Sequence, residues 1–189
     1  MTQIVDKAKK AFLDGIKEYK QDPYGLESHV EELERWAKLL LKKHPEADEE
    51  VVLLGVWLHD YGHYPINPDE DHAVTSERKA KILLEGEKID EKKLDNVLHC
   101  VRSHRCRDVM PKTIEAKILA CADSASHMTD KVYLDIAHSN KLRNYKYQVL
   151  EKLERDYRDA SIFPEIKKEI TPLYTAWKAL LEAYSALDY

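Results

Sequence analysis

Residues 51–58, VVLLGVWL, are the longest unbroken apolar run in the chain, and the pair that closes the run is His59-Asp60. Such a run has to be buried on every side, as a central strand or as a core helix, and periodicity alone does not separate the two. It is far shorter than the roughly 20 residues a helix needs to cross a bilayer. Asp48, Glu49 and Glu50 stand directly before it, and carboxylates suit the positive end of a helix. No other segment offers a partner strand, so the run is expected to be helical.

The rest of the chain carries helical spacing too. Ile4, Ala8, Ala11, Phe12, Ile16 and Tyr19 mark one stripe, ended by the turn DPYG at 22–25. Leu26, Val30, Leu33, Ala37 and Leu40 mark a second, stopped at Pro45. The third is expected to run through VVLLGVWLHD to Gly62, followed by a loop, YGHYPINPDED, at 61–71. Further helices are expected over 72–84 and from Asp90 to about Arg105, then one opened by Pro111 that carries AKILACADSAS. Residues 130–160 read as one or two more helices. A last one follows Pro164, with Pro172 expected to kink or split it. Only 5 glycines in 189 residues argue against a barrel or sandwich of tight hairpins. The reading is all-α, a single domain over 1–189, its core at about 26–128 and a helical extension at about 130–189.

Charge narrows the function classes. The 30 Lys and Arg against 35 Asp and Glu give a net charge of −5, interleaved as on exposed helix faces, so no nucleic-acid partner is expected. Neither a membrane span nor the apolar core of a signal peptide is present in the sequence. Cys100, Cys106 and Cys121 are odd in number without CxxC spacing, which fits reduced thiols and a cytoplasmic location.

The 9 histidines are where chemistry is to be sought. An aspartate closing an apolar helix needs a compensating partner, and a divalent cation supplies one, because imidazole and carboxylate together suit Mn, Fe, Ni, Co or Zn. His29 lies beside the apolar stripe of the second helix, and Asp123 interrupts AKILACADSA, another buried-looking helix. Taken singly, each is equally a hydrogen-bonded or ion-paired core group. Together with His59 and Asp60, they place four metal-ligating groups on three such helices.

The order His29, then His59-Asp60, then Asp123 resembles the HD-domain metal-dependent phosphohydrolase superfamily. The likeness covers roughly residues 26–128 and is carried by an apolar helix ending in LHDYGH, with a histidine upstream and ADS downstream. It implies an all-α helical bundle in which His29, His59, Asp60 and Asp123 hold a divalent metal that binds a phosphate oxygen and activates water. His72 and His104 sit where some HD proteins have extra histidines. In two-metal branches, such as the HD-GYP phosphodiesterases and the diiron oxygenases, these complete a second site bridged by the HD aspartate. In small nucleotide hydrolases they lie near the phosphates instead.

Arg102, Arg105 and Arg107 flank His104 and could receive phosphate; equally, RSHRCR could be a solvated helix end. The chain departs from the common HDxGK or HDxGR pattern at His63, in HDYGH. A fixed cation is thereby replaced by a titratable imidazole, a candidate substrate contact or general acid. The HDxGH form also resembles the phosphonate-cleaving diiron oxygenases.

The remaining histidines, His44, His99, His127 and His138, read as structural or solvent-facing. Tyr145, Tyr147, Tyr157, Tyr174, Tyr184 and Trp177 read as packing or dimer contacts, and Asp69, Glu70 and Asp71 as a hydrated loop. The leading expectation is a hydrolase of a small phosphorylated compound, a nucleotide among the candidates. It would use one or two divalent ions, with Asp60, His63 and Arg105 in the reaction. The alternatives are an HD-type diiron oxygenase and a non-catalytic ligand-binding module.

Overall fold

Helix α3 (Glu49–Leu58) begins where the Asp48 carboxylate accepts the backbone N–H groups of Glu50 (3.0 Å) and Val51 (3.2 Å). Every residue from Val51 to Leu58 is buried, as an all-apolar helix requires. In this computed structural model the described residues are 2–19, 22, 25–67, 69–138 and 142–186, without the side chains of 136–138 and 142–148. They form nine helices and no strand. Around α3 lie α1 (Gln3–Tyr19), α2 (Leu26–Lys43), α5 (Glu91–Ser103) and α6 (Ile114–Thr129). Phe12 of α1 meets Trp57 edge to face at 5.9 Å. At Gly55 a methyl group would stand 3.0 Å from Leu119 Cδ2 and 3.4 Å from Cys100 Cβ. Glycine here lets α5 and α6 close on the central helix.

The expected all-α architecture is what the chain forms, and three helix boundaries differ from the sequence reading. Helix α3 stops at Leu58 rather than Gly62, because Tyr61 N–H turns back to the Leu58 carbonyl (3.2 Å) and His63 N–H to that of Asp60 (3.0 Å). Helix α6 starts at Ile114, not Pro111. The Thr113 hydroxyl caps it by accepting Ala116 N–H (3.1 Å), and Glu115 holds the start in place by accepting Asp48 N–H (2.9 Å) and the Asn96 amide (3.0 Å). Helix α9 (Pro164–Ala186) continues through Pro172 as one element. Ile166 and Ile170 before that proline and Leu181 after it are all buried, so both sides of it are packed and the helix does not split.

Helix α4 (His72–Leu84) is capped by Asp71, which accepts Ala73 N–H (2.9 Å), and α5 by Asp90, which accepts Lys93 N–H (2.9 Å). Helices α7 (Val132–His138) and α8 (Leu142–Ala160) fill the 130–160 stretch, and α8 packs on both α6 and α9. Asp22 accepts Leu26 N–H (2.9 Å) and Glu27 N–H (3.0 Å) at the start of α2, and also the Tyr64 hydroxyl (2.8 Å). It thereby ties the loop after α3 to the helix that carries His29. Pro23 and Tyr24 of the expected DPYG turn lie outside the described residues, as do the side chains of His138, Tyr145 and Tyr147. No helix among the described residues is long and apolar enough to cross a membrane.

Candidate metal centre

His59 is the residue that ends α3, and it is fully buried. Its Nδ1–H donates to the Val56 carbonyl at 2.9 Å, which can only accept, so the tautomer is fixed from outside the site. Nε2 is left facing Asp60 Oδ2 at 3.3 Å and Asp123 Oδ1 at 3.8 Å, buried and without a hydrogen-bond partner. His104 repeats the arrangement at the end of α5. Its Nδ1–H donates to the Val101 carbonyl (2.7 Å), and Nε2 stands 3.8 Å from Asp60 Oδ1.

His29 comes from α2 and places Nε2 3.1 Å from Asp123 Oδ1 on α6, while its Nδ1 is 3.2 Å from Asp130 Oδ2. Ligand atoms of His29, His59 and Asp123 all lie within 4.8 Å of one another. A second group meeting that same limit is Asp60, His63 and His72. His63 Nε2 and His72 Nε2 lie 3.4 Å and 3.5 Å from Asp60 Oδ1, and the two rings stack at 4.1 Å. Asp60 therefore faces one cluster with each oxygen. The close fit depends on Gly62. A Cβ there would collide with Ser76 backbone nitrogen and stand 2.5 Å from the His72 carbonyl oxygen. Gly62 N–H instead donates to Ser76 Oγ at 2.7 Å, holding the turn against α4.

The charges in this centre are set by burial and by one another. Burial works against protonating His29, yet its bonds to Asp123 and Asp130 raise it to about 10. Burial likewise opposes charge on Asp60, but the His59 and His63 imidazoles hold that carboxyl well below its usual range. Asp123 is lowered in the same manner against its own burial, chiefly by His29. Burial dominates at His72 and His104 and lowers them to about 4 and about 3, so both are neutral and present lone pairs. Two buried carboxylates, neutral imidazoles and an orphaned Nε2 are the donor set a divalent cation takes.

His29, Asp60, His63, His72, His104 and Asp123 line a cavity of about 370 Å³, a size that suits a small molecule. Arg105 and Arg107 line it. Arg105 is paired with Asp71, and its Nε is buried without a hydrogen-bond partner. Arg102 does not line the cavity; it bonds Asp108 (3.2 Å) and lies 3.5 Å from Glu77. Asp69, Glu70 and Asp71 are exposed and precede α4 as the expected hydrated loop; Asp71 is in addition the helix cap and the partner of Arg105, and Glu70 pairs with Arg78 at 2.9 Å.

His127 is the residue the sequence reading set aside. Four positions after Asp123 on the same face of α6, its ring stacks on His29 at 4.7 Å. Its Nε2 lies 3.9 Å from Asp123 Oδ1 and its Nδ1 3.2 Å from Asp156 Oδ2 of α8. Asp156 also accepts from Lys152 (2.8 Å) and the Tyr133 hydroxyl. The spacing from Asp123 was the available signal. His44 is half-buried, against the Phe163 ring (4.4 Å) and beside Glu165 (3.2 Å), and His99 Nε2 accepts Lys112 N–H (3.0 Å). Tyr157 and Tyr174 stack on each other at 4.0 Å, and Trp177 donates to the Met128 carbonyl (2.9 Å).

Among known families, the HD domain model matches residues 26–128. Neither the curated proteins nor the solved structures compared with the chain gave a match.

Proposed function

This chain belongs to the HD domain family, and from that premise we propose that it is a divalent-metal-dependent phosphohydrolase acting on a small phosphorylated compound, with nucleotides among the candidates. The observation that carries this reading is His59 Nε2, buried without a hydrogen-bond partner between two carboxylates. His29, His59, Asp60 and Asp123 would hold one ion. Asp60 with His72 and His104 would hold a second. A divalent cation in this setting supplies charge neutralisation at phosphorus and a nucleophilic water.

The chain's own groups do the rest. The Val56 and Val101 carbonyls fix His59 and His104 so that Nε2, not Nδ1, faces inward. Arg105 offers a guanidinium with one uncommitted, buried N–H to a phosphate oxygen. His63, half-buried beside Asp60, is the general-acid candidate for the leaving oxygen.

A second reading is supported by the same second cluster. Three imidazoles around one oxygen of Asp60 suit a diiron oxygenase as well. Anaerobic purification, metal counting and paired assays of phosphate release and oxygen uptake with Mn, Ni, Co and Fe separate the two. Phosphate release that persists without oxygen is expected. Two irons per chain with oxygen consumption would establish the rival. Absence of stoichiometric metal, unchanged by His59→Ala, would remove both and leave a non-catalytic ligand-binding module.

A further inference from the structure

Some of the cations that line the cavity are not paired with any of its carboxylates. Asp130 is engaged by His29 and by Val132 N–H (2.8 Å), Asp156 by Lys152 and His127, and Asp159 by Arg158 (2.8 Å). Arg105 is taken by Asp71. Lys131, Arg107 and Arg155 also line the cavity, and none of the three forms a salt bridge among the described residues. Of the lining carboxylates outside those pairs, Asp60 and Asp123 face the histidines of the centre and Asp135 is exposed. Burial, then Arg105 and Arg155, press Arg107 below the ordinary guanidinium value against the opposing pull of Asp71 and Asp108, so the arginines lie near one another. Arg107 and Lys131 are exposed at the cavity rim and Arg155 is half-buried, and an anion placed among them would gain attraction from each.

The loop bearing two of the arginines adds an independent observation. Cys106 has φ 48°, in the left-handed region that a side chain rarely adopts, and its thiol is buried. That reversal allows His104, Arg105 and Arg107 to line one cavity within four consecutive residues. Backbone strain of this kind persists where the surrounding structure imposes it, commonly at a ligand site.

We propose that Arg107 and Arg155, with Lys131, form a second anion subsite, and that the substrate carries a second phosphate besides the one that is hydrolysed. This rests on the phosphohydrolase reading above. Guanidinium forks match the oxygens of a phosphate, and its charge of nearly −2 at neutral pH suits three cations without a salt bridge better than a single carboxylate does. Lys131 and Arg155 lie outside residues 26–128. The segment after the family core therefore supplies two of the three cations.

The test uses non-hydrolysable probes: linear alkane bisphosphonates with three to six carbons between the groups, the matching alkyl monophosphonates, and ω-phosphonocarboxylates. Each is titrated by calorimetry into the metal-loaded protein, with aryl phosphate hydrolysis followed in parallel. At least one bisphosphonate is expected to bind roughly ten-fold or more tightly than its monophosphonate. Arg155→Ala and Arg107→Ala should each remove most of that increment without changing bound metal per chain, and Arg155→Lys should restore part of it. Equal affinity for one and two anionic groups at every spacing overturns the subsite while leaving metal-dependent hydrolysis intact. Alanine variants that weaken both probe classes alike overturn it in the same way. A phosphonocarboxylate that binds as tightly as the bisphosphonate overturns the choice of phosphate. Failure to bind metal or to hydrolyse any aryl phosphate overturns the parent reading, and this one with it.

Discussion

His59 and His104 are held by the same device: each closes a helix, and each donates Nδ1–H to the carbonyl three residues earlier, at 2.9 Å and 2.7 Å. Their rings meet nearly edge to face, with centroids 5.0 Å apart. The bond satisfies a carbonyl that the helix end would leave orphaned. It also turns Nε2 of both rings toward Asp60. Replacing either ring should therefore act on metal before it acts on fold. His59→Ala is expected to abolish stoichiometric metal and His104→Ala to weaken or remove one ion, each with helical content retained, as read by elemental analysis beside circular dichroism.

Asp130 touches the centre only through His29 Nδ1 (3.2 Å). Partners of this kind set ligand orientation and basicity, and losing one typically weakens metal binding by about 10–100-fold. Asp130→Asn keeps the oxygen that accepts Val132 N–H (2.8 Å) while removing the charge beside His29. Competition with a fluorescent chelator should show weakened metal affinity and a thermal midpoint close to that of the parent in the metal-free state.

Metal must displace the proton that His29, raised to about 10, carries without it. Affinity is accordingly expected to rise with pH through the neutral range, by up to about ten-fold per unit for each proton released. Chelator competition at pH 6 and pH 8 reads this directly. A pH-independent affinity would mean that His29 is not displaced.

Gly62→Ala places a methyl against Ser76 nitrogen and 2.5 Å from the His72 carbonyl oxygen. Since both are backbone atoms, the start of α4 has to move, and overpacking of this sort costs about 1–3 kcal/mol. A lower thermal midpoint is expected together with loss of the second ion, because His72 moves with that backbone.

At Asp48, burial would raise the carboxyl, but Lys93 and the N–H groups of Val51 and Glu50 hold it below its usual value. A folded value below the unfolded one gives stability that is present above the unfolded value of about 4 and lost as pH falls through the folded one. Asp48→Ala should cost about 1 kcal/mol at neutral pH through loss of the α3 cap. The side chain is 43% exposed, so the ion pair with Lys93 adds little. Denaturant curves of the two proteins should converge on acidification.

The grouping of His29, His59, Asp60 and Asp123 is legible because an ionisable side chain on an otherwise apolar helix breaks a pattern that burial alone would write. His127 breaks no such pattern: it follows a run of small residues, and its partner Asp156 lies on α8, whose own spacing says nothing of a site. The end of α3 is not legible for a related reason. Its stop at Leu58 rests on local turns and on Gly62 meeting Ser76, a contact between separate segments. Pro172 argues locally for a break, and the burial of Ile166, Ile170 and Leu181 overrides it.

Asp22 joins the first turn of α2 to the Tyr64 hydroxyl, so His29 and the turn bearing His59 and Asp60 share one anchor remote from any ion. A cation arriving at this centre meets donors already ordered, and little chain entropy remains to be lost on its capture. Rival ions then compete through coordination preference and availability rather than through their ability to organise the polypeptide.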